Sequence, residues 1–356
     1  MIAAGILLTV TTLGAGVWTP RAASGPMLLG VSDGRQGWDV ARLHALDQWL
    51  GRPHDVVVMF TNWDPAADVL DNLFERQLPA LWTHGAVPMI TWEPTLGDGT
   101  PPDIVSRAAD GEFDRYFDRW ARRLRSFLAG DDGRMGTDDD RRVYLRPAHE
   151  MNGDWYGWGQ RAPARFVAMW RRVHRVFGDL GLGPSHVQWV WCVTNTDHGP
   201  FPAQAYFPGD EWIDWVGVDG YNWGVTTPTT TWREARDLFT PMLTRLRAIS
   251  SRPLALVEVG STRHGGWGDT PDAKNTWIRN FFTWLPSSGV RMVAWFNMDR
   301  EADFAVFGGE AGDETVGEPP AHLRAFSAYR EAAGRLPVQI NPANPRRLTD
   351  ALFRGR

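Results

Sequence analysis

The chain has 356 residues, 43% of them hydrophobic, and a net charge of -5. That apolar content excludes a disordered chain, and arginines scattered among acids leave no basic face for nucleic acid. The lone cysteine, Cys192, excludes an intrachain disulfide and reads as a buried strand thiol, whereas 20 tryptophans against 6 tyrosines predict that some of these rings line a cleft.

Residues 1–24 open the chain with an apolar run, Ile2 to Val17, followed by small residues at Ala22 to Ser24. This reads as a signal peptide or an N-terminal anchor, and predicts a secreted or extracytoplasmic protein without stable membrane association once the run is cleaved. From there strand-like and helix-like stretches alternate. Met27 to Val31 reads as a strand and Trp38 to Leu50 as a helix; Val56 to Phe60 is a strand followed by helical spacing through Val69, Leu70, Leu73 and Phe74. Val87 to Thr91 is a third strand, running into Trp92-Glu93-Pro94, and Phe113 to Leu128 is an amphipathic helix. The fourth strand lies in Val143-Tyr144-Leu145, with Arg146-Pro147 ending its regular pairing. Ala164 to Leu180, Val187 to Val193, Trp215 to Val218, Trp232 to Ile249, Leu254 to Val257, Asn275 to Leu285 and Met292 to Phe296 continue the alternation, and Ala321 to Ala333 closes it as a helix.

Eight strands alternating with helices imply parallel pairing with right-handed crossovers, and the expected architecture is an α/β (β/α)8 TIM barrel over residues 25–336. A tail, 337–356, follows as an ordered wrap or a loose end. In such barrels reacting groups stand where strands end. Those ends supply Trp92 and Glu93, His149 and Glu150, Tyr221 and Asn222, Glu258, and Trp295. Glu150 and Glu258 end the fourth and seventh strands, and two carboxylates flanking a cleft suit acid/base and nucleophilic work on a glycosidic bond. Trp155, Tyr156 and Trp158 crowd the loop after Glu150, and such rings suit the apolar faces of sugars. Glu93 has no partner of this kind and reads as a structural or subsite residue. A zinc-protease reading of His149-Glu150 fails, because Gly153 stands where a second histidine is needed. The run Asp131, Asp132, Asp138, Asp139 and Asp140 lacks ordered calcium-ligand spacing and reads as a solvated turn, so no metal is expected.

Here the stretch RPAHEMNGDWYGWG resembles the acid/base motif of glycoside hydrolase family 26, and LVEVGS resembles that family's nucleophile strand. The likeness spans Met27 to Ala333. It implies an endo-β-1,4-mannanase working by double displacement, with Glu150 as general acid/base and Glu258 as nucleophile. By the same resemblance His149, Trp155, Tyr221 and Trp295 line the sugar subsite at the cleavage point, with Trp92 and Asn222 as further substrate contacts. The family more often holds a bulkier residue where this chain has Ala148. No cofactor is implied; the expected partner is a polysaccharide or oligosaccharide, and the expected state is a monomer. A β-1,3-xylanase or a mixed-linkage β-glucanase would use the same pair of glutamates. A non-catalytic carbohydrate-binding barrel would keep the aromatic loops and lose the chemistry.

Overall fold

In a computed structural model, residues 25–97, 99–266, 271–317 and 322–356 are described. The expected leader, residues 1–24, lies outside the described residues. Strands β1 (Leu28–Ser32), β2 (Val56–Asn62), β3 (Val87–Glu93), β4 (Val143–Pro147), β5 (Val187–Thr194), β6 (Trp215–Asn222), β7 (Leu254–Ser261) and β8 (Val290–Phe296) pair in sequence order, and β8 closes on β1. All eight pairings are parallel, so the fold is a (β/α)8 barrel. The runs of Val, Ile, Leu and Trp in these strands are what burial on both faces requires, one face toward the barrel axis and one toward the helices.

Helices α1 (Val40–Leu50), α2 (Ala67–Asn72), α3 (Leu78–His84), α4 (Ile104–Asp110), α5 (Asp114–Leu128), α6 (Pro163–Asp179), α7 (Ala235–Arg247) and α8 (Pro271–Trp284) form the outer layer. Helix α1 begins where the Asp39 side chain accepts from the Arg42 backbone N–H, and stops at Gly51 in the left-handed region, φ 81°. On α5, Phe117, Trp120, Leu124 and Phe127 recur every three or four residues and are buried against the barrel, while Arg119, Arg122 and Arg125 stay on the other side. Pro163 at the first turn of α6 supplies a helical φ where no N–H partner exists.

Three expectations are corrected. The strands run further than their apolar cores: β6 and β7 continue through Asn222 and Ser261, so Glu258 lies inside β7 rather than at its end. Strand β4 keeps pairing with β3 through Arg146 and Pro147, while its pairing with β5 stops at Leu145. The closing helix, α9, is shorter than expected, Ser327–Ala333. Before it the chain folds as a small antiparallel sheet of β9 (Phe307–Gly309), β10 (Glu314–Val316) and β11 (Leu323–Ala325). Its short strands carry no periodicity from which a sequence pattern could be read.

The tail packs under the barrel. Arg142 donates to the Leu348 carbonyl and to Asp350, the Tyr144 hydroxyl and the Trp215 indole N–H both donate to the Phe353 carbonyl, and Asp55 accepts from the backbone of Gln339 and Ile340. A one-turn helix, α10 (Asp350–Phe353), capped by Thr349, lays Phe353 on the Tyr144 ring.

Candidate active site

A cleft of about 1230 Å³ opens at the end of the barrel where the strands point. Glu150, Trp155, Tyr156, Tyr221 and Glu258 line it together with Phe60, Glu93, His198, Trp223, Phe296 and Phe304. The two expected carboxylates therefore share one space.

Five neighbouring strands build its floor around one cation. Arg146 of β4 points into the barrel, wholly buried, and its guanidinium bonds Thr91 of β3, Asp219 of β6 (2.7 Å) and Glu258 of β7. The Cys192 thiol of β5 sits 3.2 Å from the other Asp219 oxygen. Burial works against the charged guanidinium, but Asp219 and Glu258 outweigh it and hold Arg146 well above its ordinary value. The Asp219 carboxyl is pushed up by burial, with Arg146 opposing. His149, Asp219 and Glu258 present ligand-type atoms within 4.8 Å of one another, but Arg146 already neutralises two of them.

A bulge in β7 aims Glu258. Pairing with β6 runs Val218 to Leu256 and then Asp219 to Glu258, so Val257 is an extra residue on β7, and the register to β8 slips at the same place. Gly217 of β6 leaves space for Val257: a methyl there would lie 3.0 Å from the Val257 side chain and 2.7 Å from the Cys192 sulfur. Two successive residues, Val257 and Glu258, thus face the interior, which regular alternation forbids. One oxygen of Glu258 accepts from Arg146 and the other from the Tyr221 hydroxyl.

Glu150 stands on a strained turn. Ala148 and Glu150 have φ of 45° and 54°, left-handed values that side-chain-bearing residues rarely adopt. The turn is held from every side: Ala148 N–H donates to Trp92, Glu150 N–H to Cys192, the Trp158 indole to the His149 carbonyl, and Asn152 exchanges bonds with Thr194. The small Ala148 lies wholly buried in this turn. The Glu150 carboxyl accepts from the Trp155 indole N–H at 2.8 Å and is otherwise enclosed. Burial first, then Asp219 and Glu258, push it well above the ordinary glutamate range, which favours the protonated form.

The remaining expected residues divide. Trp155, 48% exposed, and Tyr221 face the cleft. His149 does not line it: the ring is buried, its Nε2 lies 3.1 Å from the Tyr156 hydroxyl and 4.0 Å from Glu258, and burial keeps it neutral. Trp92 and Trp295 are corrected outright. Trp92 stacks on Trp120 of α5 at 4.5 Å, and Trp295 packs against Trp277 of α8 and Tyr329 of α9, so both point to the helix layer. Their strand neighbours Thr91 and Phe296 take the inner face. Asn222 is likewise withdrawn: its amide is spent on Ser261, Gly224 and the Arg233 N–H, fixing the loop after β6. Arg146 and Asp219 were missed, although an arginine inside an apolar strand was a readable signal. Phe60, Trp223 and Phe304 converge only through the fold.

Against known proteins, the model of Glycosyl hydrolase family 26 matches residues 133–280, the segment holding Arg146, Glu150, Asp219, Tyr221 and Glu258. Over that segment the sequence is similar to this family. Among curated relatives, Endoglucanase H of Acetivibrio thermocellus is 27% identical over 301 residues, which is 80% of this chain. A mannan endo-1,4-beta-mannosidase of Bacillus subtilis (strain 168) is 31% identical over 88 residues, 22% of this chain. The chain spans 28% of the first protein's length, and the second match covers 23% of that protein. A solved family 26 beta-mannanase from Bacteroides ovatus superposes with a TM-score of 0.56 at 18% identity, covering 80% of this chain and 85% of that one, a likeness of fold. No helix among the described residues is long and apolar enough to cross a membrane.

Proposed function

We propose that this chain is a family 26 glycoside hydrolase, a retaining endo-β-glycanase. The observation that carries the reading is the unlike pair in one cleft: Glu150, enclosed with the Trp155 indole N–H on its carboxyl and pushed by burial toward the protonated form, and Glu258, gripped at both oxygens by Arg146 and Tyr221. One carboxyl is kept ready to give a proton and the other is fixed in aim, a division of labour that glycoside cleavage needs. Glu258 attacks the anomeric carbon while Glu150 donates its proton to the departing glycosidic oxygen. Glu150, now ionised, takes a proton from water, which displaces Glu258 from the sugar carbon. The neutral His149 packs behind this pair, and Trp155, Tyr156 and Trp223 offer faces for the flanking sugars.

For the glycan we carry β-1,4-mannan, from the motif resemblance and the mannanases among the relatives. A β-glucan is the second reading, favoured by one observation: the relative matched across 80% of the chain is named an endoglucanase, whereas the mannosidase of Bacillus subtilis (strain 168) matches 22%. We place the protein outside the cytoplasm, acting on polysaccharide as a monomer. Reducing-sugar release from mannan, mixed-linkage β-glucan and β-1,3-xylan tests the reading. Release from at least one polymer by the wild type, abolished by Glu258→Ala, is expected; release undiminished in that variant contradicts it.

A further inference from the structure

Among the other carboxyl side chains that line the cleft, one acts electrostatically on Glu258 and is not used by the mechanism above. Glu93 is the last residue of β3, half-buried in the cleft wall. Its backbone carbonyl is engaged by the N–H groups of Trp63 and Thr95, which fixes the residue in place. Its side chain is different. Among the described residues no donor reaches either carboxylate oxygen, and neither oxygen is sealed from the cleft. The cations that act on it, Arg146 and Arg300, do so without a hydrogen bond: Arg146 is committed to Asp219 and Glu258, and Arg300 is exposed on the β8 side of the same cleft.

A half-buried carboxyl that opens on the cleft and has no protein partner is free to accept hydrogen bonds from whatever fills that cleft. We infer that Glu93 is a substrate-binding residue, its carboxyl taking hydroxyl groups of the sugar unit seated beside Glu258. This rests on the glycanase reading and adds a contact that sets how tightly, and with which sugar epimer, the cleft is filled. Two carboxylate oxygens at one point accept well from a pair of neighbouring hydroxyls, and such pairs are where pyranose epimers differ. Burial, aided by Glu258, lifts the Glu93 carboxyl to about 7, so in the empty cleft it changes charge near neutrality, and a bound hydroxyl donor favours the ionised form.

The test uses the full chain carrying Glu150→Gln, so that turnover does not disturb binding and no charge neighbour of Glu93 is altered. Mannotetraose and a mixed-linkage gluco-tetrasaccharide are titrated calorimetrically with Glu93, Glu93→Gln and Glu93→Ala. Loss of a charged hydrogen bond predicts affinity for the preferred sugar falling by roughly tenfold or more in the alanine variant, less in the glutamine one. Thermal midpoints should not drop, since the carboxyl supports nothing inside the protein. Unchanged affinity overturns the inference, as does an affinity loss accompanied by midpoints many degrees lower in both variants. If the wild type binds a sugar but hydrolyses none, the glycanase reading fails while the same titrations still decide the role of Glu93. If neither sugar binds, both fall.

Discussion

Glu150 and Glu258 could be read because each closes a local apolar run. The residue that organises them could not: Arg146 matters through Thr91, Asp219 and Glu258, three strands that only the barrel brings together. Its removal is the sharpest stability experiment. Arg146→Met leaves Asp219 and Glu258 buried without their counter-charge, and a broken buried pair costs about 3–5 kcal/mol, so the midpoint in denaturant should fall accordingly. A loss within the range of a surface substitution would mean the pair is not held by this cation. Glu150→Ala should slow glycans, whose leaving oxygen needs a proton, far more than aryl glycosides with acidic leaving groups. Equal losses on both would show that Glu150 is not the acid. For Glu93 the pH sign is fixed by its upward shift from 4.5 to about 7: below 4.5 the carboxyl is protonated in both folded and unfolded chains and carries no penalty, and as pH rises toward 7 the folded chain is increasingly penalised because burial resists ionisation. The thermal midpoint of Glu93→Gln, measured against wild type, should therefore gain between pH 4.5 and 7, and a constant difference would contradict the shift.

Among the elements, the eight strands and their helices were legible from spacing, whereas their inward and outward faces were not. Trp92 and Trp295 look like site residues in a list of strand ends, yet alternation gives the inner face to Thr91 and Phe296 and sends both indoles to α5, α8 and α9. The bulge at Val257 was hidden for the opposite reason: it breaks alternation, and nothing in LALVEVGS marks the extra residue. The tail could be read only as a wrap or an end, because its contacts with Arg142, Tyr144 and Trp215 lie over a hundred residues away in sequence. Phe353 is fully buried on the Tyr144 ring. Phe353→Ala should cost about 3–5 kcal/mol, as large-to-small changes in well-packed sites do, while turnover at low temperature stays near wild type because the cleft is at the other end of the barrel. Loss of activity without loss of stability would mean the tail reaches the site.

At the scale of the molecule, the barrel sets an enclosed acid and a doubly held carboxylate at its mouth, and the central claim is that they act in succession on one sugar carbon. Each displacement inverts that carbon, so two restore the starting β configuration. Proton NMR of the first products from the best polymeric substrate reads the outcome before mutarotation blurs it. The β-anomer signal should appear first, with the α signal growing only as free sugars equilibrate; an α signal at the earliest time would contradict double displacement at Glu258.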